Sequence, residues 1–322
     1  MFHLSRRRFV ISAAAASAAF GLDGPMEFLP PAHAQKQKKS AGAAPATAMR
    51  FKKFKVGDVD VTTIYDGVWE AAHGPGFVKN ASLDEVKAAL KAGGLTDAHV
   101  PIPFTITLVG IKGNYVLFDS GTGGQVAPTA GQFTANLKAA GVDPSRIKTI
   151  VVTHFHPDHI LGLLAKDTNA QVFPDAEIIM PAAEYRFWTD PATTVFAAKR
   201  IQATFPNWKN IRHIEPDKEV VAGVRSIATY GHTPGHTSYL VASGNRQLIV
   251  LGDVTNIPAL FVRNPHWHAS FDTDGPMAEA VRRKIFDRVI ADKATITGYH
   301  YGMPGAGTIA KDGKGYAYKP VA

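Results

Sequence analysis

The sequence predicts a layered α/β sandwich in a single domain, and three observations predict it. Two strand-rich halves are each followed by helices, an order that stacks sheets and helices around one core. Apolar runs such as "IKTIVV", "LIVLGDV" and "ATITGYH" lead straight into a His or an Asp. Sheet proteins place their sites in the crevice beyond strand ends. No Pro/Gly-rich linker divides residues 51–322, so both halves belong to one domain.

The elements follow in order. "FKKFKVGDVDVTTIYDG" alternates about Gly57-Asp58 and reads as a β-hairpin. "SLDEVKAALKAGG" is a helix, with Ser82 and Glu85 as a capping box and Gly93-Gly94 at its end. "PFTITLVGIKGNYVLFDSG" gives two strands about a Lys112-Gly113-Asn114 turn. "GQFTANLKAAG" is a helix, and "IKTIVV" lacks alternation, as a strand buried on both faces does. From Pro181 to Trp208 two helices are broken at Asp190-Pro191. "KEVVAGVRSIATYG", "TSYLVASG" and "RQLIVLGDV" return to strands. The helix "GPMAEAVRRKIFDRVIADK" and the strand "ATITGYH" come last.

Composition narrows the chemistry. The 322 residues are 45% hydrophobic and 19% charged, which is globular. There is no cysteine, so disulfides and thiolate metal sites are excluded and any metal must be held by His, Asp or Glu. The formal charge is +8, but Lys and Arg form no run of five. That reads as a dispersed basic surface. The expected partner is a small-molecule substrate and no nucleic acid; a homodimer is compatible with the sequence.

The N-terminus reads as a targeting segment. Arg6-Arg7-Arg8 precede a 12-residue apolar stretch, Phe9 to Phe20. A spanning helix needs about 20 such residues, so no stable membrane anchor is expected. "SRRRFV" resembles a twin-arginine export motif, and Ala32-His33-Ala34 a cleavage site. Residues 1–34 are therefore expected to be a twin-arginine-type signal peptide. Residues 35–50 are expected to be a disordered lead-in, and 51–322 the folded domain. The expected location is periplasmic or secreted.

"THFHPDH" places three imidazoles and a carboxylate within six residues, directly after an apolar strand. Histidine is the commonest metal ligand. Further ligands lie downstream: His232 and His236 in "YGHTPGHTSYL", Asp253 after "LIVLG", and His300 in "ATITGYH". Converging there, these loops can hold two ions. His266 and His268 in "NPHWHAS" read as loop residues, and Asp272 and Asp274 as the entry to the following helix.

Together "HFHPDH", "GHTPGHTS", "LGD" and "GYH" resemble the metallo-β-lactamase superfamily. Closer in, "LGDV", "FDTD" and "GYHYGMPGAG" resemble the branch holding methyl parathion hydrolase and the acyl-homoserine lactonases. That resemblance implies a four-layer αββα sandwich. It implies two zinc ions per chain, or other divalent metals. His154, His156 and His236 would hold one, Asp158, His159 and His300 the other, and Asp253 would bridge them. Asp119 and His232 would support the ligands from behind, and Asp158 and Asp253 would take part in catalysis. Tyr185, Phe187 and Trp188 would overhang the site. Asn256 stands where many lactonases of the family carry a tyrosine. The activity implied is hydrolysis of neutral esters, lactones or aryl phosphotriesters by water activated between the ions. Alternatives on the same fold are a glyoxalase II-like thioester hydrolase, an iron-dependent oxidoreductase and a non-enzymatic metal-binding protein. His156 sits where diiron oxidoreductases commonly carry an acid, which argues against that group.

Overall fold

The computed structural model describes residues 49–322 apart from Pro75 and Phe196. The expected signal peptide and all but the last two residues of the expected lead-in lie outside the described residues. Among the described residues, no helix is long and apolar enough to cross a membrane.

The first half supplies β1 (Phe51–Val56), β2 (Val59–Ala71), α1 (Leu83–Ala92), β3 (Val100–Ile111), β4 (Asn114–Phe118) and α2 (Phe133–Ala139). Next come β5 (Ile147–Val151), α3 (Pro157–Ile160), β6 (Glu177–Pro181), α4 (Ala182–Thr189), α5 (Ala198–Thr204) and β7 (Ile211–Ile214). The second half supplies β8 (Glu219–Val221), β9 (Val224–Ala228), β10 (Thr237–Ser243), β11 (Arg246–Val250), α6 (Gly275–Ala291), β12 (Thr295–Thr297), β13 (Ala306–Asp312) and β14 (Gly315–Pro320). The first sheet has the order β1-β2-β3-β4-β5-β6-β7 and the second β14-β13-β12-β11-β10-β9-β8. β4 through β7 run parallel, as do β11 and β12.

Side-chain alternation builds the layers. Successive strand residues point to opposite faces. In the first sheet Val109, Val116, Phe118, Val151 and Ile179 face inward, where they meet Val224, Tyr239, Val241, Leu248 and Val250 of the second. The outward set, including Ile106, Leu117, Ile150 and Ile178, packs on Leu90 of α1, Leu137 of α2, Trp188 of α4 and Ile201 of α5. On the far side Ile249, Ile296 and Ile309 pack on Ile285, Phe286 and Val289 of α6. Three apolar layers thus separate helices, sheet, sheet and helix, the expected αββα order. Each fully buried Val, Ile, Leu or Phe contributes about 1.5–3 kcal/mol by leaving water.

Local chemistry fixes the ends of elements. The Ser82–Glu85 capping box forms in both directions, with Glu85 Oε2 accepting from Ser82 N at 2.7 Å and Ser82 Oγ accepting from Glu85 N at 3.3 Å. The Asp274 side chain accepts from Met277 N at 3.0 Å and so caps α6, as expected. Four strands were not foreseen. β6 runs directly into α4, so its "EIIMP" merges with a helical reading. β7 is only four residues long. β13 and β14 form a C-terminal hairpin about Gly313 that closes the edge of the second sheet. A π-helical turn at Ile257–Val262 after the Asp253 loop was not foreseen either.

Candidate metal centre

Every foreseen ligand follows the C-terminal end of a strand: His154, His156, Asp158 and His159 after β5, the 229–236 loop after β9, Asp253 after β11, and His300 after β12. The first four come from one sheet and the rest from the other, so the site lies where the two sheets meet.

Pro157 divides the first motif. The residue before proline is steered to extended backbone, and His156 has φ −63° and ψ 148°. Proline then opens a single helical turn, α3, where its fixed φ and missing N–H fit. The turn aims Asp158 and His159 at a second set of partners, although the His159 ring stays 4.0 Å from that of His154. Two donor groups result: His154, His156, His232 and Asp253 in one, and Asp158, His159 and His300 in the other. Within each, the potential ligand atoms lie within 4.8 Å of one another.

In the first group His156 Nδ1 lies 3.0 Å from both His154 Nε2 and His232 Nε2. The opposite ring nitrogens are held from behind: His154 Nδ1 by Thr153 Oγ1 at 3.0 Å, and His232 Nδ1 by Asp272 Oδ1 at 2.9 Å. In the second group His159 Nδ1 meets Asp119 Oδ2 at 2.8 Å, and His300 Nδ1 meets the Pro103 carbonyl at 2.9 Å. A proton held on Nδ1 leaves the Nε2 lone pair for a ligand. Asp119 also accepts from Thr153 N at 2.7 Å and Thr153 Oγ1 at 2.9 Å. Tyr299 stacks on His159 with ring centroids 3.8 Å apart and donates to the Asp158 carbonyl. Asp253 lies between the groups. Its Oδ1 is 3.3 Å from His159 Nε2, and its Oδ2 is 3.0 Å from His300 Nε2 and 3.4 Å from His232 Nε2.

The donor set fits divalent cations. Buried polar atoms normally find a partner, yet His159 Nε2 and Asp253 Oδ1, both buried, face each other without a hydrogen bond. Three imidazoles crowd their nitrogens together in the first group. Burial, reinforced by neighbouring imidazoles, holds His154 well below the ordinary histidine value and His156 down at about 3. The rings of His154 and His156 are thereby kept neutral and offer lone pairs. Burial also disfavours charge on His159 and His300, but the carboxylates around them outweigh it and raise both. A cation there would take the place of those protons.

One expectation is reversed. His236 stands outside both groups, and His232 stands inside. Both nitrogens of His236 are engaged: Nδ1 with Thr229 Oγ1 at 2.8 Å, and Nε2 accepting from Asp253 N at 2.9 Å. Gly252 permits that contact, since a Cβ there would come within 2.7 Å of His236 Nε2. His236 abuts β10 and braces the Asp253 backbone, while His232 reaches in from the loop. The sequence spacing does not separate these roles. If each group holds an ion, His232→Ala should lose about one per chain and His236→Ala should retain both with weaker affinity; elemental analysis of the two purified variants checks this.

The expected pocket residues divide as well. Trp188 does not line a mouth: it is buried in the core, and its Nε1 donates to Glu184 Oε1 at 2.6 Å. Its ring approaches His156 edge-on, with centroids 6.1 Å apart. Tyr185 is half-buried and stacks on His213, and Phe187 packs at the core edge. Asn256 is buried with Oδ1 unpartnered. Of the downstream histidines, His268 pairs with Glu279 at 3.0 Å.

Three supporting residues escaped sequence reasoning in that role. Asp272 orients His232, and burial, which would raise its carboxyl, is outweighed by the His232 hydrogen bond and by Arg282, so it lies below the usual value. Arg282, buried on α6, donates to the carbonyls of Val254, Pro265 and Trp267 and lies 3.5 Å from Asp272 Oδ2. Glu184, buried on α4, accepts from four donors on segments around the first group. Only the fold brings these partners together.

The metallo-beta-lactamase superfamily matches residues 103–285, more than half of the chain. The chain belongs to that superfamily. The metallo-β-lactamase match ends before His300, which β12 supplies beyond it. Among curated proteins, an N-acyl homoserine lactonase of Bacillus cereus is 34% identical over 115 residues, 36% of this chain and 41% of that protein. An N-acyl homoserine lactonase of Rhizobium radiobacter is 26% identical over 186 residues, 50% of this chain and 67% of that protein. The matched region spans 41% and 43% of the Bacillus cereus and Agrobacterium fabrum lactonases, about two-fifths of their length. A solved dizinc quorum-quenching lactonase, in complex with a product N-hexanoyl-L-homoserine, has a TM-score of 0.77 at 26% identity, covering 84% of this chain and 97% of its own. A hydrolase of the β-lactamase superfamily, AbOPH, has the same TM-score of 0.77 at 26% identity, covering 86% and 99%.

Proposed function

We propose that this chain is a two-metal hydrolase of neutral lactones and esters. The placement of Asp253 between the two donor groups carries the reading. His154, His156 and His232 would hold one ion, Asp158, His159 and His300 the other, and Asp253 both. Nitrogen and oxygen donors of this kind suit zinc. Divalent ions at such a site supply Lewis acidity, lowering the pKa of water and polarising a carbonyl.

The remaining work falls to the chain. Asp158 is the most accessible acid of the site, with its side chain 16% exposed and Oδ2 3.3 Å from both His159 Nε2 and His300 Nε2. We assign it the proton released by the attacking water, accepted at a carboxylate oxygen. Burial would raise Asp158 and Asp253, but His159 and His300 outweigh it and hold both carboxyls below the usual value. Both are therefore carboxylates before the attack, and Asp158, held low, passes the water's proton on to solvent through its exposed edge rather than storing it for the leaving group. A leaving group must depart with little protonation, which suits alkoxides and phenoxides and disfavours amines. The names of the relatives, N-acyl homoserine lactonases, support lactones as the first class to test. Aryl phosphotriesters rest on the motif resemblance alone.

The test is a turnover panel on the zinc-loaded chain: an N-acyl homoserine lactone, an aryl ester, an aryl phosphotriester, a glutathione thioester and a β-lactam. We expect kcat/KM for the lactone or the ester to exceed that for the β-lactam by about a hundredfold, or about 2.7 kcal/mol. Turnover of the β-lactam alone, or of the thioester alone, would overturn the proposal.

A further inference from the structure

We propose that Glu184 is a positioning residue: a single buried carboxylate ties the loop of His154 and His156 to the loop of His232 and thereby sets the geometry of the first donor group. The inference rests on the two-metal reading above.

Four hydrogen bonds converge on this side chain. Oε1 accepts from Phe155 N at 3.0 Å and from Trp188 Nε1 at 2.6 Å. Oε2 accepts from Thr233 Oγ1 at 2.8 Å and from Gly235 N at 2.8 Å. Phe155 lies between His154 and His156 in the chain, and Thr233 follows His232. One rigid carboxyl group therefore spans two loops that come from different sheets. Trp188, one helical turn along α4, fixes the side chain from its own helix. The contact leaves no slack: a Cβ on Gly235 would overlap the backbone nitrogen of Glu184.

The chemistry argues against mere filling of space. Glu184 is fully buried, and its four hydrogen-bond donors are all neutral groups. Burial pushes its carboxyl up, and the same four hydrogen bonds oppose that. Burying a carboxylate costs several kcal/mol, and a well-packed apolar side chain often replaces an ion without loss. What an apolar side chain cannot supply is an acceptor for two donors on each of two oxygens. That property makes Glu184 a gauge between the loops. It also accounts for the burial of Trp188, which serves the gauge rather than the substrate.

The test uses the full chain and cadmium as the probe. Cadmium NMR distinguishes the histidine-rich group from the carboxylate-rich one, and chelator competition gives an affinity for each. In Glu184→Gln an amide N–H₂ faces two donors. We expect it to weaken the first group by about tenfold to a hundredfold while the second stays within about threefold. Thr233→Val removes one donor and should act in the same direction by less. Circular dichroism verifies folding, and Thr233→Val carries the test if Glu184→Gln does not fold. Folded variants that keep wild-type affinity at the first group, or that weaken both groups alike, overturn the inference. A wild-type chain that takes up no ion overturns the two-metal reading, and this inference with it.

Discussion

Asp253→Ala is expected to abolish most of the activity and to lower ion content together. The reason is geometric. Asp253 Oδ1 and Oδ2 face histidines of both donor groups at 3.0–3.4 Å. Alanine withdraws both oxygens and leaves His159 and His300 with Asp158 as the one carboxylate of their own group. The Asp253 backbone N–H still donates to His236 Nε2, so the loop itself should hold. A loss of about a thousandfold in kcat/KM, or about 4 kcal/mol, is the expected size. Elemental analysis and steady-state kinetics on one preparation check it. A variant with wild-type ion content and turnover would remove Asp253 from the centre.

Arg282→Met is expected to cost the most stability. Arg282 is a buried cation that joins Asp272 to the carbonyls of Val254, Pro265 and Trp267. Its removal leaves Asp272 without its buried guanidinium partner and three carbonyls short of a donor. Breaking such a pair on one side costs about 3–5 kcal/mol. For a domain of this size the melting temperature should fall on the order of 10 °C. Val254 adjoins Asp253, and Asp272 holds His232, so metal affinity should fall in the same variant. Calorimetry of the metal-free and loaded chains separates the two effects. An unchanged melting temperature would mean that Asp272 is compensated elsewhere.

Much of the sandwich was legible because burial leaves periodic traces. Strands whose ends enter the core read as short apolar runs, as the Ile150-Val151 end of β5 and the Leu248-Val250 end of β11 do, while Lys148 and Arg246 stay exposed at their starts. The hairpin at Gly57 and the capped helix at Ser82 carry their own local chemistry. β13 and β14 leave a weaker trace, because "AGTIAKD" and "GYAYKP" mix small, charged and aromatic residues at a sheet edge. The donor motifs were legible for a different reason: each follows an apolar strand at once. The roles of His232 and His236 were not. They share one loop four residues apart, and the choice is made by Thr229, Asp272 and the Asp253 backbone. Asp272 lies 40 residues from its histidine, and Glu184 lies 29 from Phe155 and 49 from Thr233. No local pattern encodes partners at that range.

The split of the donors between the two sheets has a consequence for how the protein is made. Chains emerge from the ribosome N-terminus first, and their parts begin to fold as they appear. A nascent chain complete through β9 carries His154, His156, Asp158 and His159 but none of His232, Asp253 and His300. It possesses the whole first sheet and neither complete donor group. On the two-metal reading, ion capture would therefore belong to the last stage of biogenesis, after β12 has been synthesised and docked. The bound ions would then act as a rivet between two halves that were made at different times, and a shortage of metal would be felt first as a loosening of the joint between them.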